Sequence, residues 1–226
     1  MVVNTDLDCL IYRSLYGCKG DFIQTVELLD GFLHSINEKL SPSDHKLILS
    51  GATNFRNEVD PNYKISRKDK PKPRYYKALR EYAIHELGAF VTVDKEADDE
   101  LGILQNSDTC AASIDKDILQ LPGYHYRFKR NWEDNELVYV TEDEAWFNFF
   151  KQVAMGDGVD DIAGLKGIGV AKATKALQDK TKEEMLETVQ GMYKKQFGDD
   201  WFKPFDITCR LIFIQRSNAQ NYFDLI

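Results

Sequence analysis

The sequence predicts an α/β protein: a central, mostly parallel sheet flanked by helices, with a helical region after it. Three observations carry this. Short apolar runs at residues 2–4, 46–50, 89–93 and 109–114 are separated by helix-period or polar segments, and a strand–helix–strand order implies parallel pairing. The first, third and fourth runs each end in acids, as expected where parallel strands present their C-terminal ends along one edge. From about residue 156 onward only helical patterns remain.

A chain of 226 residues, 43% hydrophobic and 12% aromatic, can bury a real core as one large domain or as a main domain with a small appendage. Its net charge of −8 excludes a uniformly basic nucleic-acid binder but leaves room for a local basic patch. The four cysteines (Cys9, Cys18, Cys110, Cys209) form no C-x-x-C pair, so reduced thiols are expected and a zinc site or disulfide framework is not. His34, His45, His85 and His125 are isolated and read as packing or surface residues. The acidic start lacks the basic segment of a signal peptide, and no apolar run reaches the ~18 residues of a membrane helix. A cytoplasmic protein without membrane contact is therefore expected.

Along the chain, the first strand runs into Asp6 and Asp8. Phe22, Val26, Leu29, Leu33, Ile36 and Leu40 then recur at helical spacing over residues 21–40. After the second strand the composition changes. Lys64, Arg67, Lys68, Lys70, Lys72, Arg74, Lys77 and Arg80 stand against one acid, Asp69, with Tyr63, Tyr75 and Tyr76 interleaved. Such a stretch is either a solvated loop or an electrostatic footprint for phosphates, with aromatics available for base stacking. In so acidic a chain the second reading is favoured. Pro61, Pro71 and Pro73 break its first part, and a helix is expected over 74–87.

The third strand leads into Asp94, Glu96, Asp98, Asp99 and Glu100, which open a helix to about residue 105. Acids favour a helix N-terminus, but five within seven residues exceed what capping requires. The fourth strand ends in Asp115 and Asp117, which could equally form an Asx turn. Residues 125–128 and 136–141 read as a hairpin. Residues 142–155 read as a helix with Trp146, Phe147, Phe149, Phe150 and Val153 in the core. Asp157, Asp160 and Asp161 follow; Asp161 reads as a cap or surface residue. Then come Gly164, Gly167 and Gly169, a short helix over 170–178 carrying Lys172 and Lys175, and helices over 182–197 and 201–217.

The acids at these strand ends, with no clustered histidine or cysteine, suit Mg²⁺ or Mn²⁺. The candidate ligands are Asp6, Asp8, Glu96, Asp98, Asp99, Asp115, Asp117, Asp157 and Asp160. They exceed the need of one ion, so two ions roughly 4 Å apart are expected. Such a pair supports phosphodiester hydrolysis without a covalent intermediate. A Gly-x-Gly at a helix start is weak by itself. A helix–hairpin–helix with lysine in its second helix, adjacent to the aspartates, is a stronger sign of grip on a duplex backbone.

These motifs resemble the flap endonuclease and 5′-nuclease family, in particular compact phage-type 5′–3′ exonucleases, over most of the chain. Residues 6–13 (DLDCLIYR) resemble its first-strand motif, whose acid binds metal. Glu96-Ala-Asp98-Asp99 and residues 113–120 (SIDKDILQ) resemble its second and third acidic motifs. Residues 156–169 (GDGVDDIAGLKGIG) are similar to the fourth, which leads into a helix–three-turn–helix DNA clamp. The resemblance implies a PIN-like nuclease domain over 1–155, an arch over about 57–87, and a DNA-binding region over 156–226. It implies metal binding by Asp6, transition-state stabilisation by Lys64 and Arg67 beside the scissile phosphate, and a potassium ion at the hairpin. The implied DNA contacts are Tyr63, Lys64, Arg67, Lys68, Lys70, Gly164, Gly167, Gly169, Lys172 and Lys175. The implied activity is that of a magnesium-dependent replication nuclease, acting as a monomer on branched or 5′-ended DNA or an RNA–DNA hybrid in a phage-infected cell.

One position departs from the family pattern. Gly51 in Ser50-Gly51-Ala-Thr-Asn54-Phe55-Arg56 stands where the family usually has aspartate. A catalytically impaired binder of branched DNA is therefore the alternative. A PIN-type ribonuclease is a weaker third reading, since small members of that class lack the hairpin region.

Overall fold

The computed structural model describes residues 1–218, 220–224 and 226. Its elements are, in order, β1 (Val2–Asp6), α1 (Leu7–Gly17), α2 (Phe22–Leu40), β2 (Asp44–Leu49), α3 (Arg56–Val59), α4 (Ile65–Lys68) and α5 (Tyr76–His85). There follow β3 (Phe90–Val91), α6 (Ala97–Leu104), β4 (Thr109–Ser113), β5 (Gly123–Arg127), β6 (Glu136–Val140) and α7 (Glu142–Met155). The last are β7 (Gly156–Asp157), β8 (Ile162–Ala163), α8 (Val170–Leu177), α9 (Lys182–Phe197) and α10 (Phe202–Ile212). Two compact units result. One comprises Met1–Thr53, Pro71–Ile118 and Gly123–Tyr139, the other Asn54–Lys70, Leu119–Pro122 and Val140–Ile226.

The first unit is built on a six-stranded sheet of order β3-β2-β1-β4-β5-β6. The pairs β1–β2, β1–β4, β2–β3 and β4–β5 are parallel, with Asp6 level with Ile48 and Thr5 level with Ala112. Val3, Cys110, Ala112 and Tyr126, from one face, bury against Leu7, Leu10 and Ile11 of α1, Leu29, Leu33 and Ile36 of α2, and Leu79 and Ala83 of α5. Helix α6 lies against β1, β2 and β4 with Ala97 and Leu101 buried, and covers the other face. β1 and β4 are buried along almost their whole length, as expected of central parallel strands.

The second unit is helical. Trp146, Phe149, Phe150 and Val153 of α7 form its core with Ala173 and Leu177 of α8, Met185, Val189 and Tyr193 of α9, and Phe205 and Cys209 of α10. Reciprocal capping boxes start α7 (Thr141 with Glu144) and α9 (Thr181 with Glu184). Between α7 and α8 the chain folds back as β7 and β8, with Asp157 opposite Ile162. Two glycines permit this crossing. A Cβ on Gly156 would lie 2.3 Å from the Gly164 nitrogen, and one on Gly164 would lie 1.9 Å from the Met155 carbonyl oxygen.

Arg56 is 1% exposed within this unit. Its Nε donates to the Leu211 carbonyl at 2.8 Å and its Nη2 to the Phe213 carbonyl at 2.7 Å, so a buried cation closes the C-terminal end of α10. This also bears on the last helix, which the sequence extends to residue 217. It ends at Ile212, and Phe213, Ile214 and Gln215 continue buried outside it. The third strand is shorter than expected, because residues 92–95 leave it for a turn in which Asp94 has φ +56°. Helix α1 was absent from the sequence-based expectation, although Leu7, Leu10, Ile11 and Ser14 carry its spacing. Among the described residues no helix is long and apolar enough to cross a membrane.

Candidate active site

The parallel pairing brings the C-terminal ends of β1, β2, β3 and β4 to one edge of the first unit's sheet, where Asp6 stands and from which the chain leads on to the acids after β3 and β4. Asp6 ends β1 and is 8% exposed. Its Oδ1 accepts the Cys9 amide at 3.4 Å, capping α1. Its Oδ2 accepts the Cys9 thiol at 2.8 Å and the Ser113 hydroxyl at 3.1 Å. Burial, and secondarily the charge of Asp8, raises its carboxyl to about 6. The Cys9 thiol is pushed well up by burial and then by Asp6, so it remains a protonated donor.

Asp8, expected as a ligand, is engaged otherwise. Arg80 Nη1 donates to its Oδ1 at 3.0 Å and the Ser50 amide to its Oδ2 at 2.7 Å. Arg80 also donates to the Ser50 carbonyl, so Asp8 ties α1 to the end of β2 and to α5.

The acids opening α6 are more occupied than their density suggested. Glu96 and Asp99 form a reciprocal capping box, with the Glu96 amide 3.2 Å from Asp99 Oδ2. Asp98 Oδ1 accepts the Asp99 amide at 2.7 Å, and Glu100 pairs with Lys95 at 3.2 Å. Helix capping thus engages Glu96, Asp98 and Asp99 at the start of α6. Asp115 is exposed; its Oδ1 accepts the Asp117 amide at 2.9 Å, the Asx turn weighed above. Among the described residues no three His, Cys, Asp or Glu side chains are grouped closely enough to hold a metal ion.

Gly51 has a steric reason. A Cβ there would lie 2.4 Å from the Thr92 carbonyl oxygen, which is backbone. Its amide donates to Thr92 Oγ1 at 2.8 Å, and the Thr92 hydroxyl donates to the Lys95 carbonyl at 2.6 Å. The turn after β3 therefore sits against position 51. Gly51→Asp should cost about 1–3 kcal/mol, as overpacking does, and should not raise activity. Urea midpoints beside initial rates would check this; an equally stable, faster variant would revive the idea of a missing ligand.

In the second unit, Asp157 Oδ1 accepts the Val159 amide at 2.8 Å. Asp160 faces two cations. Lys64 Nζ lies 3.4 Å from its Oδ2, and Arg67 pairs with its Oδ1. The Lys64 amide donates to the Asp160 carbonyl at 3.0 Å, Arg67 Nε to the Val159 carbonyl at 3.2 Å, and the Ser66 amide to Asp161 Oδ2 at 2.9 Å. That last bond holds the Asp161 carboxyl below the usual range. The basic segment and the aspartate loop are thus laced together within one unit, a pairing that sequence separation concealed. Lys68 and Lys70 are exposed.

Tyr63 requires a correction. It is 6% exposed and belongs to the apolar core, so its ring packs against protein and is not the open stacking surface expected. The first unit offers another aromatic surface. Lys72 Nζ donates to the Tyr12 hydroxyl at 2.7 Å and lies 5.0 Å from the Tyr76 ring centre; Tyr12 and Tyr76 are 5.3 Å apart, and Tyr16 beside them is 73% exposed. The i, i+4 spacing of Tyr12 and Tyr16 was the available signal, but it required recognition of α1.

At the hairpin, Gly167 and Gly169 are exposed beside the exposed Lys166, Lys172 and Lys175. Gly164, expected to approach phosphate, instead makes the backbone crossing with Met155 and Gly156. Lys172 Nζ donates to the Gly167 carbonyl at 2.8 Å.

No protein-family model matches the chain. It is 30% identical over 170 residues to the exodeoxyribonuclease of Enterobacteria phage T3, a match covering 70% of this chain and 55% of that protein. It is 29% identical over 134 residues to the exonuclease of Escherichia phage T7, covering 54% and 43%. The chain thus spans about half the length of these phage relatives. In fold it resembles the phage T5 5′-exonuclease with bound zinc, at TM-score 0.62 and 18% identity over 92% of this chain and 88% of the other.

The chain is thus similar in sequence to phage exonucleases and in fold to a phage 5′-exonuclease. A second fold neighbour, the T5 flap endonuclease in a pseudo-enzyme–product complex with DNA and metal ions, has TM-score 0.57 and 16% identity, covering 93% of this chain and 98% of the other.

Proposed function

We propose that the chain is a metal-dependent 5′ nuclease, hydrolysing phosphodiesters near the 5′ end of DNA or RNA-primer strands as exonuclease and flap endonuclease. One observation carries this reading. Of two adjacent parallel strands one ends in Asp6 and the other two residues before Asp115, at one edge beside the acid-rich start of α6, and the Asp6 carboxyl is buried and raised. A buried carboxylate at a strand-end edge is relieved by a cation. The all-oxygen donor set suits Mg²⁺ or Mn²⁺, and two ions would supply a nucleophile from water and neutralise charge on the leaving oxygen. In the first unit Asp6, Glu96, Asp98, Asp99, Asp115 and Asp117 are the candidate ligands, whereas Asp8 is spent on Arg80 and Ser50; in the second unit the candidates are Asp157 and Asp160.

Lys64 and Arg67 are the cations nearest Asp160 and would stabilise negative charge on the scissile phosphate. Lys68 and Lys70 extend that positive segment. Tyr12 and Tyr76, with Lys72 against their faces, would stack an unpaired base. Gly167, Gly169, Lys172 and Lys175 would hold a duplex backbone without sequence preference. A potassium ion at the hairpin would compete with Lys172 for the Gly167 carbonyl. The fitting partner is branched or 5′-ended DNA, or an RNA–DNA hybrid, met by a monomer in the host cytoplasm.

The test is divalent-dependent release of short products from a 5′-labelled flap. Asp115→Ala and Asp157→Ala should each slow it by more than about 100-fold, since even outer partners of a metal are worth 10–100-fold. Unchanged release from both variants would end the assignment, and matched RNA and DNA strands would rank the substrates.

A further inference from the structure

We propose that Ser113 and Cys9 are positioning residues that fix Asp6 in one rotamer with one oxygen spent and the other offered. The inference rests on the metal-dependent reading above and adds the part of the first unit that prepares the carboxylate. The two oxygens of Asp6 are treated unequally. Oδ2 accepts two side-chain hydrogen bonds, from the Cys9 thiol at 2.8 Å and the Ser113 hydroxyl at 3.1 Å. Oδ1 accepts only the longer 3.4 Å amide contact from Cys9 among the hydrogen bonds found at that residue. A carboxylate oxygen has about two acceptor sites, so Oδ2 is filled and Oδ1 retains capacity for an ion.

The donors come from different elements. Cys9 lies in the first turn of α1, and Ser113 is the last residue of β4. Ser113 is 1% exposed, and its hydroxyl also accepts the Asp115 amide at 3.1 Å. With its proton directed to Asp6 and a lone pair to Asp115, one hydroxyl spans two acid-bearing strand ends. The Cys9 sulfur lies 3.6 Å from the same hydroxyl oxygen and closes the group on its third side. Such outer hydrogen bonds orient metal-binding carboxylates, and their loss typically costs 10–100-fold in metal affinity.

Removing the Ser113 donor frees Asp6 to rotate and also releases the amide of Asp115. The chemically conservative Ser113→Thr keeps the hydroxyl, and Cys9→Ser replaces the thiol by a stronger donor of similar shape. Any effect that follows the donor rather than the volume at these positions therefore identifies positioning.

The decisive measurement is Mn²⁺ binding to the intact protein without DNA, by calorimetric titration at pH 7.5, with urea midpoints recorded in parallel. Ser113→Ala should weaken Mn²⁺ binding about 10–100-fold and Cys9→Ala less, whereas Ser113→Thr and Cys9→Ser should stay within about threefold of the parent. With flap substrate, Ser113→Ala should raise the Mn²⁺ concentration needed for half-maximal rate and leave the KM for DNA unchanged. If Ser113→Ala is too unstable to titrate, the Cys9→Ala and Cys9→Ser pair decides by the same criterion. Parent-like Mn²⁺ affinity in both alanine variants overturns the proposal while leaving the nuclease reading intact. Equal weakening in alanine and hydroxyl-bearing variants also overturns it, because volume alone would then matter. A parent protein that binds no Mn²⁺ removes the metal-dependent reading and this inference together.

Discussion

Asp6→Asn should be more stable than the parent above pH 6 and should lose the proposed nuclease activity by more than about 100-fold, beyond what outer partners of a metal supply. The first half follows from linkage. Burial raises the Asp6 carboxyl from 3.8 to about 6, so the folded state holds the proton more tightly than the unfolded chain. Such a group favours folding fully below its unfolded value and loses that contribution as pH rises through 6. In the metal-free protein, the loss between pH 4 and 7 is about 2 kcal/mol, shared with whatever local relaxation the ionised carboxylate permits. An asparagine does not ionise and keeps an acceptor for Ser113. It should match the parent near pH 4 and exceed it by about 1–3 kcal/mol at pH 7.5. Urea unfolding in EDTA at pH 4, 5, 6 and 7.5 would show the two curves diverging; parallel curves would contradict the argument. Stability gained with activity lost is the expected mark of a residue held in place for chemistry.

The second large effect is structural. Arg56→Met should cost about 3–5 kcal/mol, because it strands the Leu211 and Phe213 carbonyls in a buried setting without the guanidinium. Typical domains hold only about 5–15 kcal/mol in all, so the variant should unfold at much lower urea concentration. Arg56→Lys should recover little, because one ammonium cannot reproduce the guanidinium's fixed fork of donors toward two carbonyls. A midpoint for Arg56→Met within 1 M urea of the parent would show that water replaces the guanidinium easily.

The sheet was legible in the sequence because its central strands are short apolar runs bounded by polar turns. Asp6 ends the first of them, and Asp115 follows the fourth by two residues. The helices at 142–155 and 182–197 were legible to the residue, since capping threonines and regular aromatic or aliphatic spacing mark their limits. Other features depended on contacts that sequence order conceals. Nothing local to Lys64 and Arg67 announces Asp160, more than ninety residues away, as their counter-charge. Tyr63 looked like an exposed ring among lysines and is instead a core residue, because its neighbours in the fold are α7 to α10 and not its neighbours in the chain. Gly51 looked like a lost acid. Its reason is the Thr92 carbonyl, set by a turn forty residues later.

The Arg56 contact has a further consequence for how the molecule forms. Its partner carbonyl belongs to Leu211, 155 residues further on, and Val59 and Tyr63 join a core supplied almost wholly by residues after 140. Closing so long a loop is entropically costly and comes before the contacts that reward it, which slows folding. During synthesis the segment 54–70 emerges long before α10 exists, so the second unit's core cannot close until nearly all of this chain is available. Until then a guanidinium and a tyrosine destined for burial are held in water, and a fragment beginning at residue 140 would lack part of its own interior.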